Sequence, residues 1–282
     1  MSRWIDETLH PHFRQGFKAD RILFDSATEH QRLVLFENGT FGRVLTLDSV
    51  VQTTEQDEFI YHEMLAHLPI LAHGAVEKVL IVGGGDGGLL EEVLKHRSIE
   101  KVTQVEIDAG VVEFSKQYLA SICREAYDDP RLDLVIADGV DFVASCAERY
   151  DIVLVDSTDP IGPGEVLFTD TFYGKAKNCL APGGILVTQN GVPFLQGAEL
   201  TNSLRAFKAF FADAACYLAT VPSYAGGPMA FGWGSDDATK RQVGLETLEQ
   251  RYRDSGIDTG YYNPAVHLAA FALPNYVAEL IL

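Results

Sequence analysis

The chain has 282 residues, 47% of them apolar, and carries 40 acidic against 22 basic side chains for a formal net charge of −18. That length buries a substantial core without staples and suffices for one large α/β domain with a smaller appendage. The acidic balance speaks against nucleic acid, whose phosphates it repels; it suits cationic ligands, unless it serves only solubility.

The opening residues, MSRWIDETLH, are polar, and no apolar run approaches the length that spans a bilayer. The expected setting is the cytoplasm, with no membrane partner. The first 50 or so residues look β-rich. In QRLVLFENGTFGRVLTL (31–47) two apolar strands flank Asn38-Gly39, a hairpin signal because both residues tolerate positive φ. Residues 54–72 then predict a helix, with Phe59, Ile60, Met64, Leu65 and Leu68 on one broad apolar stripe. Pro69 and Gly74 are expected to weaken it beyond its first turns. Within it, His62 and His67 stand five apart and do not share a face as HExxH histidines would, so no metal site is expected.

From residue 76 the pattern changes. Short β-branched runs at 78–84, 101–107, 132–138, 150–156 and 184–190 alternate with helical segments at 88–97, 109–122, 140–148 and 169–180. This predicts a parallel sheet with helices on both faces. Two further strands, near 215–221 and 229–233, follow a helix and favour a Rossmann-like sheet of the class I methyltransferase type, its last strand antiparallel. The expected organisation is a β-strand domain over 1–53 and a Rossmann-like catalytic domain over 54–282. Cys123, Cys146, Cys179 and Cys216 form no CxxC pair and read as free thiols.

Ligands of such sheets bind outside the carboxyl ends of the strands, and four of these ends carry acids. The first opens into GGGDGG (83–88), where Gly83, Gly84 and Gly85 allow close backbone approach to a ligand. The spacing fits both the dinucleotide and the methyltransferase loop. Asp86 within it opposes a pyrophosphate and welcomes a cationic or hydroxylated group, or else caps the following helix. Glu106 ends the second strand about twenty residues on, where an acid accepts from a ribose. Asp138-Gly139 ends the third, with adenine binding and helix capping both open. The fourth ends in Asp156-Ser157-Thr158-Asp159-Pro160, where two acids face one cavity if the segment turns, or stabilise a loop locally. Acids clustered in this way repel one another until a cation arrives.

QTTEQDEFIYHEM (52–64), VLIVGGGDGG (79–88), VEID (105–108), ADG (137–139), VDSTDPIGPGEVLF (155–168), VPSYAGGPMAFGW (221–233) and YYNPAVHLAAFALP (261–274) resemble the bacterial spermidine synthases nearly end to end. The resemblance implies transfer of an aminopropyl group from decarboxylated S-adenosylmethionine to putrescine, giving spermidine and methylthioadenosine. The donor is a co-substrate, and neither a cofactor nor a metal is implied. The assembly implied is a homodimer or homotetramer. Asp156 would be the base. Tyr61, His62, Asp86, Asp159, Gln189 and Tyr224 would line the amine pocket. Gln31, Asp86, Glu106, Asp138, Gly139 and Pro163 would hold the donor. Asp86 would also disfavour S-adenosylmethionine itself, whose carboxylate it repels. Three other readings compete: an aminopropyltransferase taking spermidine, agmatine or cadaverine, a putrescine N-methyltransferase, and a non-catalytic polyamine-binding protein.

Overall fold

The computed structural model describes residues 3–28, 31–159 and 162–282, the side chains at 162 and 163 excepted. Strands β1 (Arg3–Asp6) and β2 (Gly16–Ala19) form a two-stranded antiparallel ribbon. Strands β3 (Arg21–Ala27), β4 (Arg32–Asn38), β5 (Gly42–Leu47) and β6 (Val50–Thr54) make an antiparallel meander. Alternation gives this small sheet two apolar faces. Phe36 and Val44 pack with Phe17 of β2 on one side. Leu33, Leu35, Leu45 and Leu47 pack on the other against Val111, Phe114, Leu119 and Ile122 of the larger domain. That second contact seats the small sheet over the strand ends.

The hairpin expected at Asn38-Gly39 forms, but with a longer turn. Asn38 pairs with Gly42, and Gly42 takes the left-handed conformation at φ 70°. The Asn38 carboxamide oxygen instead accepts from the amides of Thr40 and Phe41. Positive φ falls also at Asp48 and Ser49, between β5 and β6, where no glycine signals it.

Helix α1 (Glu58–His73) runs through Pro69, contrary to expectation. Every residue from Ile60 to Ala72 is buried, so tertiary packing outweighs the lost backbone bond. Gly74 ends the helix rather than weakening it, in the left-handed conformation with its amide on the Ile70 carbonyl.

The remaining elements are β7 (Lys78–Gly83), α2 (Gly88–Leu94), β8 (Lys101–Glu106), α3 (Ala109–Tyr118), α4 (Ala120–Cys123), β9 (Leu132–Ile136), α5 (Gly139–Ser145), β10 (Tyr150–Asp156), α6 (Asp170–Asn178), β11 (Leu180–Gln189), α7 (Gly197–Phe210), β12 (Asp213–Ala219), β13 (Met229–Ser235), α8 (Leu245–Ser255), α9 (Pro264–Ala270) and α10 (Asn275–Leu280). Seven strands form one sheet in the order β12-β13-β11-β10-β7-β8-β9. Only β13 runs against the others, as expected of the methyltransferase-type sheet. One apolar core lies between the sheet and α1, α2 and α8, and a second between its other face and α5, α6 and α7. The strand order reverses between β7 and β10, so a crevice opens at their carboxyl ends.

Candidate active site

A cavity lies at that crevice. Its floor comes from the ends of β7, β8, β10 and β11; its roof comes from Glu7, His10, Gln31, Leu45, Val51 and Gln52 of the small domain.

Gly83, Gly84 and Gly85 carry no side chain because none would fit. A Cβ at Gly83 would stand 2.1 Å from the Asp156 carbonyl oxygen, one at Gly84 3.0 Å from Asp156 Oδ2, and one at Gly85 2.9 Å from Glu106 Oε2. Gly83 and Gly84 also lie at φ 88° and 69°. The loop is held from behind by two residues that sequence reading missed. Gln104 Nε2 donates to the carbonyls of Gly83 (3.0 Å) and Gly84 (2.7 Å), and Tyr127 Oη donates to that of Gly85 (2.8 Å).

Asp156 lies at the centre. Its Oδ1 accepts from Tyr61 Oη at 2.7 Å. Burial pushes its carboxyl up to about 6, against the pull of the His62 charge and with the push of Asp86. Asp86 faces two ways. One oxygen accepts from the Gly88 amide at 3.0 Å, at the start of α2, and the other faces His62 Nε2 at 3.6 Å. His62 Nδ1 meets Glu58 Oε2 at 2.6 Å. The donor atoms of His62, Asp86 and Asp156 lie within 4.8 Å of one another, a spacing that suits a cation.

Beyond Asp156, the Ser157 and Thr158 carbonyls each accept from Gln189 Nε2 at 3.2 Å, and Gln189 Oε1 accepts from the Gly191 amide. Gln189 therefore lines the cavity with its polar atoms engaged and fixes the turn that aims Asp159 inward. Asp159 Oδ1 accepts from Gln196 Nε2 at 2.5 Å, and burial raises its carboxyl. Glu7, 8% exposed, stands nearby on the roof, holding the Val51 amide and Gln15; burial raises it too. Tyr224 packs edge-on to Tyr61, their centroids 6.0 Å apart, and donates to the Gln52 carbonyl, tying floor to roof.

Toward β8, Glu106 accepts from the Asp108 amide with one oxygen, and burial pushes it up to about 7. Gln31 lies on the roof above, its Nε2 3.5 Å from Asp108 Oδ2. Ile107, 37% exposed, adds an apolar surface to the cavity.

Asp138 and Gly139 are not brought into this cavity. Asp138 caps a helix: its Oδ1 accepts from the amides of Val140 (2.7 Å) and Asp141 (3.4 Å). Helix α5 begins at the next residue, and its first amides need an acceptor. The Pro163 side chain lies outside the described residues. Tyr61, His62, Gly83, Gly84, Gly85, Asp86, Glu106, Asp156, Asp159, Gln189, Tyr224 and Gln31 all line the one cavity. Glu7, His10, Gln52 and Gln196 join them without having been foreseen. No motif flags Glu7, His10 or Gln196, since the first two lie in an irregular segment and the third in a loop before α7, while Gln52 opens the 52–64 segment without carrying an expected role.

Comparison with known proteins covers nearly the whole chain. Residues 58–243 match the family described as spermine/spermidine synthase domain, and residues 3–55 the spermidine synthase tetramerisation domain. A polyamine aminopropyltransferase of Ruegeria sp. (strain TM1040) is 63% identical over 98% of both chains. Polyamine aminopropyltransferase 1 of Pseudomonas aeruginosa is 57% identical, over 98% of this chain and 96% of its own. A spermidine synthase solved with the transition state analogue AdoDATO superposes with a TM-score of 0.94 at 35% identity, covering 100% of this chain and 96% of its own. That of Thermotoga maritima superposes with a TM-score of 0.91 at 33% identity, covering 100% and 95%.

Proposed function

This chain belongs to the spermine/spermidine synthase family and is a polyamine aminopropyltransferase, and we propose that it transfers the aminopropyl group of decarboxylated S-adenosylmethionine to putrescine. The observation that carries the reading is the meeting of Asp86, Glu106, Asp156 and Asp159 in one cavity. Both reactants are cations, and four acids around a single space answer that charge.

In the proposed step a putrescine nitrogen attacks the propyl carbon bonded to sulfur. The C–N bond forms, the C–S bond breaks with its electron pair going to sulfur, and methylthioadenosine leaves. The sulfonium is an activated leaving group already, so the step as proposed draws on neither metal nor cofactor. What the protein supplies is alignment of nitrogen and carbon, together with removal of a proton. Asp156 takes that proton, oriented by the Tyr61 hydroxyl. Its raised proton affinity narrows the gap to an alkyl amine. Asp159, with Glu7 beside it, balances the distal ammonium of the acceptor. Asp86 faces the aminopropyl ammonium of the donor. Glu106 and Gln31 take the ribose, and Ile107 offers the adenine an apolar face. We place the reaction in the cytoplasm, where the four free cysteines suit a reducing compartment, and carry it out in an oligomer built through the N-terminal domain.

The test is to incubate the purified protein with putrescine and either decarboxylated or intact S-adenosylmethionine, then identify products by mass spectrometry. Spermidine with methylthioadenosine is expected, from the decarboxylated donor alone. N-methylputrescine from the intact donor, or no release of methylthioadenosine, would overturn the reading. Spermidine, agmatine and cadaverine offered in place of putrescine define the acceptor range, and putrescine is expected to be preferred.

A further inference from the structure

Glu58 has no part in the step set out above and does not line the cavity. It stands in the first turn of α1, four residues before His62, a spacing that stacks the two side chains. Its Oε2 lies 2.6 Å from His62 Nδ1, while His62 Nε2 lies 3.6 Å from Asp86 Oδ2. The ring is 2% exposed, and a Cβ at Gly88 would come within 2.3 Å of its Cε1, so it has no room to swing. A carboxylate in hydrogen-bond contact with one ring nitrogen and a second facing the other at 3.6 Å both favour the doubly protonated, cationic imidazole. A fixed cation is paradoxical in a site that gathers cations. Its use must lie with the acids around it.

We propose that Glu58 is a positioning residue, holding the His62 imidazole as a doubly protonated cation that fixes the Asp86 carboxylate and keeps Asp156 ionised before either substrate arrives. The groups facing the ring are Glu58 and Tyr61 from α1, Asp86 from the loop after β7, and Asp156 from β10; Glu92 of α2 acts in turn on Glu58. Burial alone would strip the ring of its proton. The charges of Asp86 and Glu58 outweigh burial and raise His62 to about 10. The same ring charge pulls down the proton affinity of Asp156. Tyr61 thus holds Asp156 in orientation, and the imidazolium holds it in charge. The proposal rests on the aminopropyl-transfer reading for the need to ionise Asp156. The charge on His62 does not depend on that reading.

Two measurements test it separately. Nitrogen-15 NMR of histidine-labelled protein, with His62→Gln assigning the signal among the 8 histidines, is expected to show both ring nitrogens protonated at about pH 8. In Glu58→Gln, which keeps an oxygen near Nδ1 without the charge, the ring loses that second proton. The acid limb of kcat/KM then moves up by about one pH unit, the equivalent of a tenfold change in proton affinity. Turnover accordingly falls most at acid pH and least on the alkaline plateau. Glu58→Asp restores the charge and returns the limb most of the way. A neutral ring in the wild type would overturn the proposal. So would a limb that stays in place while turnover falls evenly at every pH, the mark of a merely structural contact. If the wild type released no methylthioadenosine, the reaction itself would fall, and the NMR arm would still decide the charge on His62.

Discussion

At Asp156 two demands meet. The side chain must be anionic to take a proton, yet basic enough for an amine to give one up. Burial raises it to about 6 without carrying it above neutrality, so both hold near neutral pH. Replacing it by asparagine keeps size and the ability to accept from Tyr61 but removes the base. We expect Asp156→Asn to lower kcat by about 10²- to 10⁴-fold, the usual share of general-base catalysis, with donor affinity nearly unchanged in equilibrium binding. Equal losses in both would make Asp156 a binding group only. The acid limb follows from the same group: protonated Asp156 accepts nothing, so activity falls as pH drops through about 6. Residues at strand ends were legible because a buried apolar run tells where the chain emerges, and an acid at that point faces the crevice. Asp138 shows the limit, since a capping acid and a ligand-binding acid occupy the same place in a sequence. Gln104 and Glu58 were illegible for another reason. Each acts through a neighbour distant in the chain or hidden one helical turn away, and no spacing rule singles either out.

Among the elements, α1 does more than its stripe predicts. It is buried on every side because the sheet, α2 and the C-terminal segment all pack on it. Its polar residues are the ties. His67 bridges His96 at 2.9 Å and Glu92 at 3.0 Å. Glu63, 2% exposed, accepts the amides of Gly260, Tyr261 and Tyr262 at 2.6 to 2.8 Å. Removing that carboxylate leaves three amides without their acceptor. We expect Glu63→Ala to destabilise the protein by about 3 kcal/mol or more and to open the chain after residue 255 to protease. An unchanged denaturation midpoint would mean that water replaces the carboxylate freely. The turn between β5 and β6 makes the opposite case. Asp48 and Ser49 lie at φ 47° and 66° with no glycine between them. Ser49→Gly relieves left-handed strain of about 1–2 kcal/mol, offset in part by the greater freedom of unfolded glycine. A gain of about 0.5–1 kcal/mol is expected in denaturant unfolding, and a loss would show that Ser49 has a second role. This explains why the sheet was legible and the small domain less so. Buried apolar runs announce parallel strands, whereas β1, β2 and the turns depend on contacts that only folding makes.

In the molecule as a whole, folding concentrates charge that the chain keeps dispersed. Glu7, Glu106, Asp156 and Asp159 come from three separate stretches of sequence and meet in one cavity. Burial holds Glu106 at about 7 and Asp156 at about 6, and it raises Glu7 and Asp159. In the unfolded chain such acids release their protons at about pH 4. From there to about pH 7 the empty fold holds more protons than the unfolded chain, so these groups contribute less stability as pH rises. His67 and His96 oppose that slope. Burial lowers both to about 3, and the stability they contribute grows as pH rises toward the unfolded histidine value. The empty protein therefore hides the effect, and a ligand reveals it. A bound dication favours the ionised acids and leaves His67 and His96 untouched, so it must displace protons to bind. The rise in melting midpoint given by saturating putrescine with methylthioadenosine is expected to grow between about pH 5.5 and 7.5 and then level off. Calorimetry in two buffers of different ionisation heat should show net proton release near about pH 6.5. Salt separates this from the long-range field of the −18 chain: half-molar salt, on the order of 0.5 M, screens exposed charges but leaves buried groups little affected. Association should slow at that ionic strength while the pH-dependent gain survives. A gain equal at every pH would mean that the acids are already ionised in the empty site, and the cation would then have no repulsion to relieve.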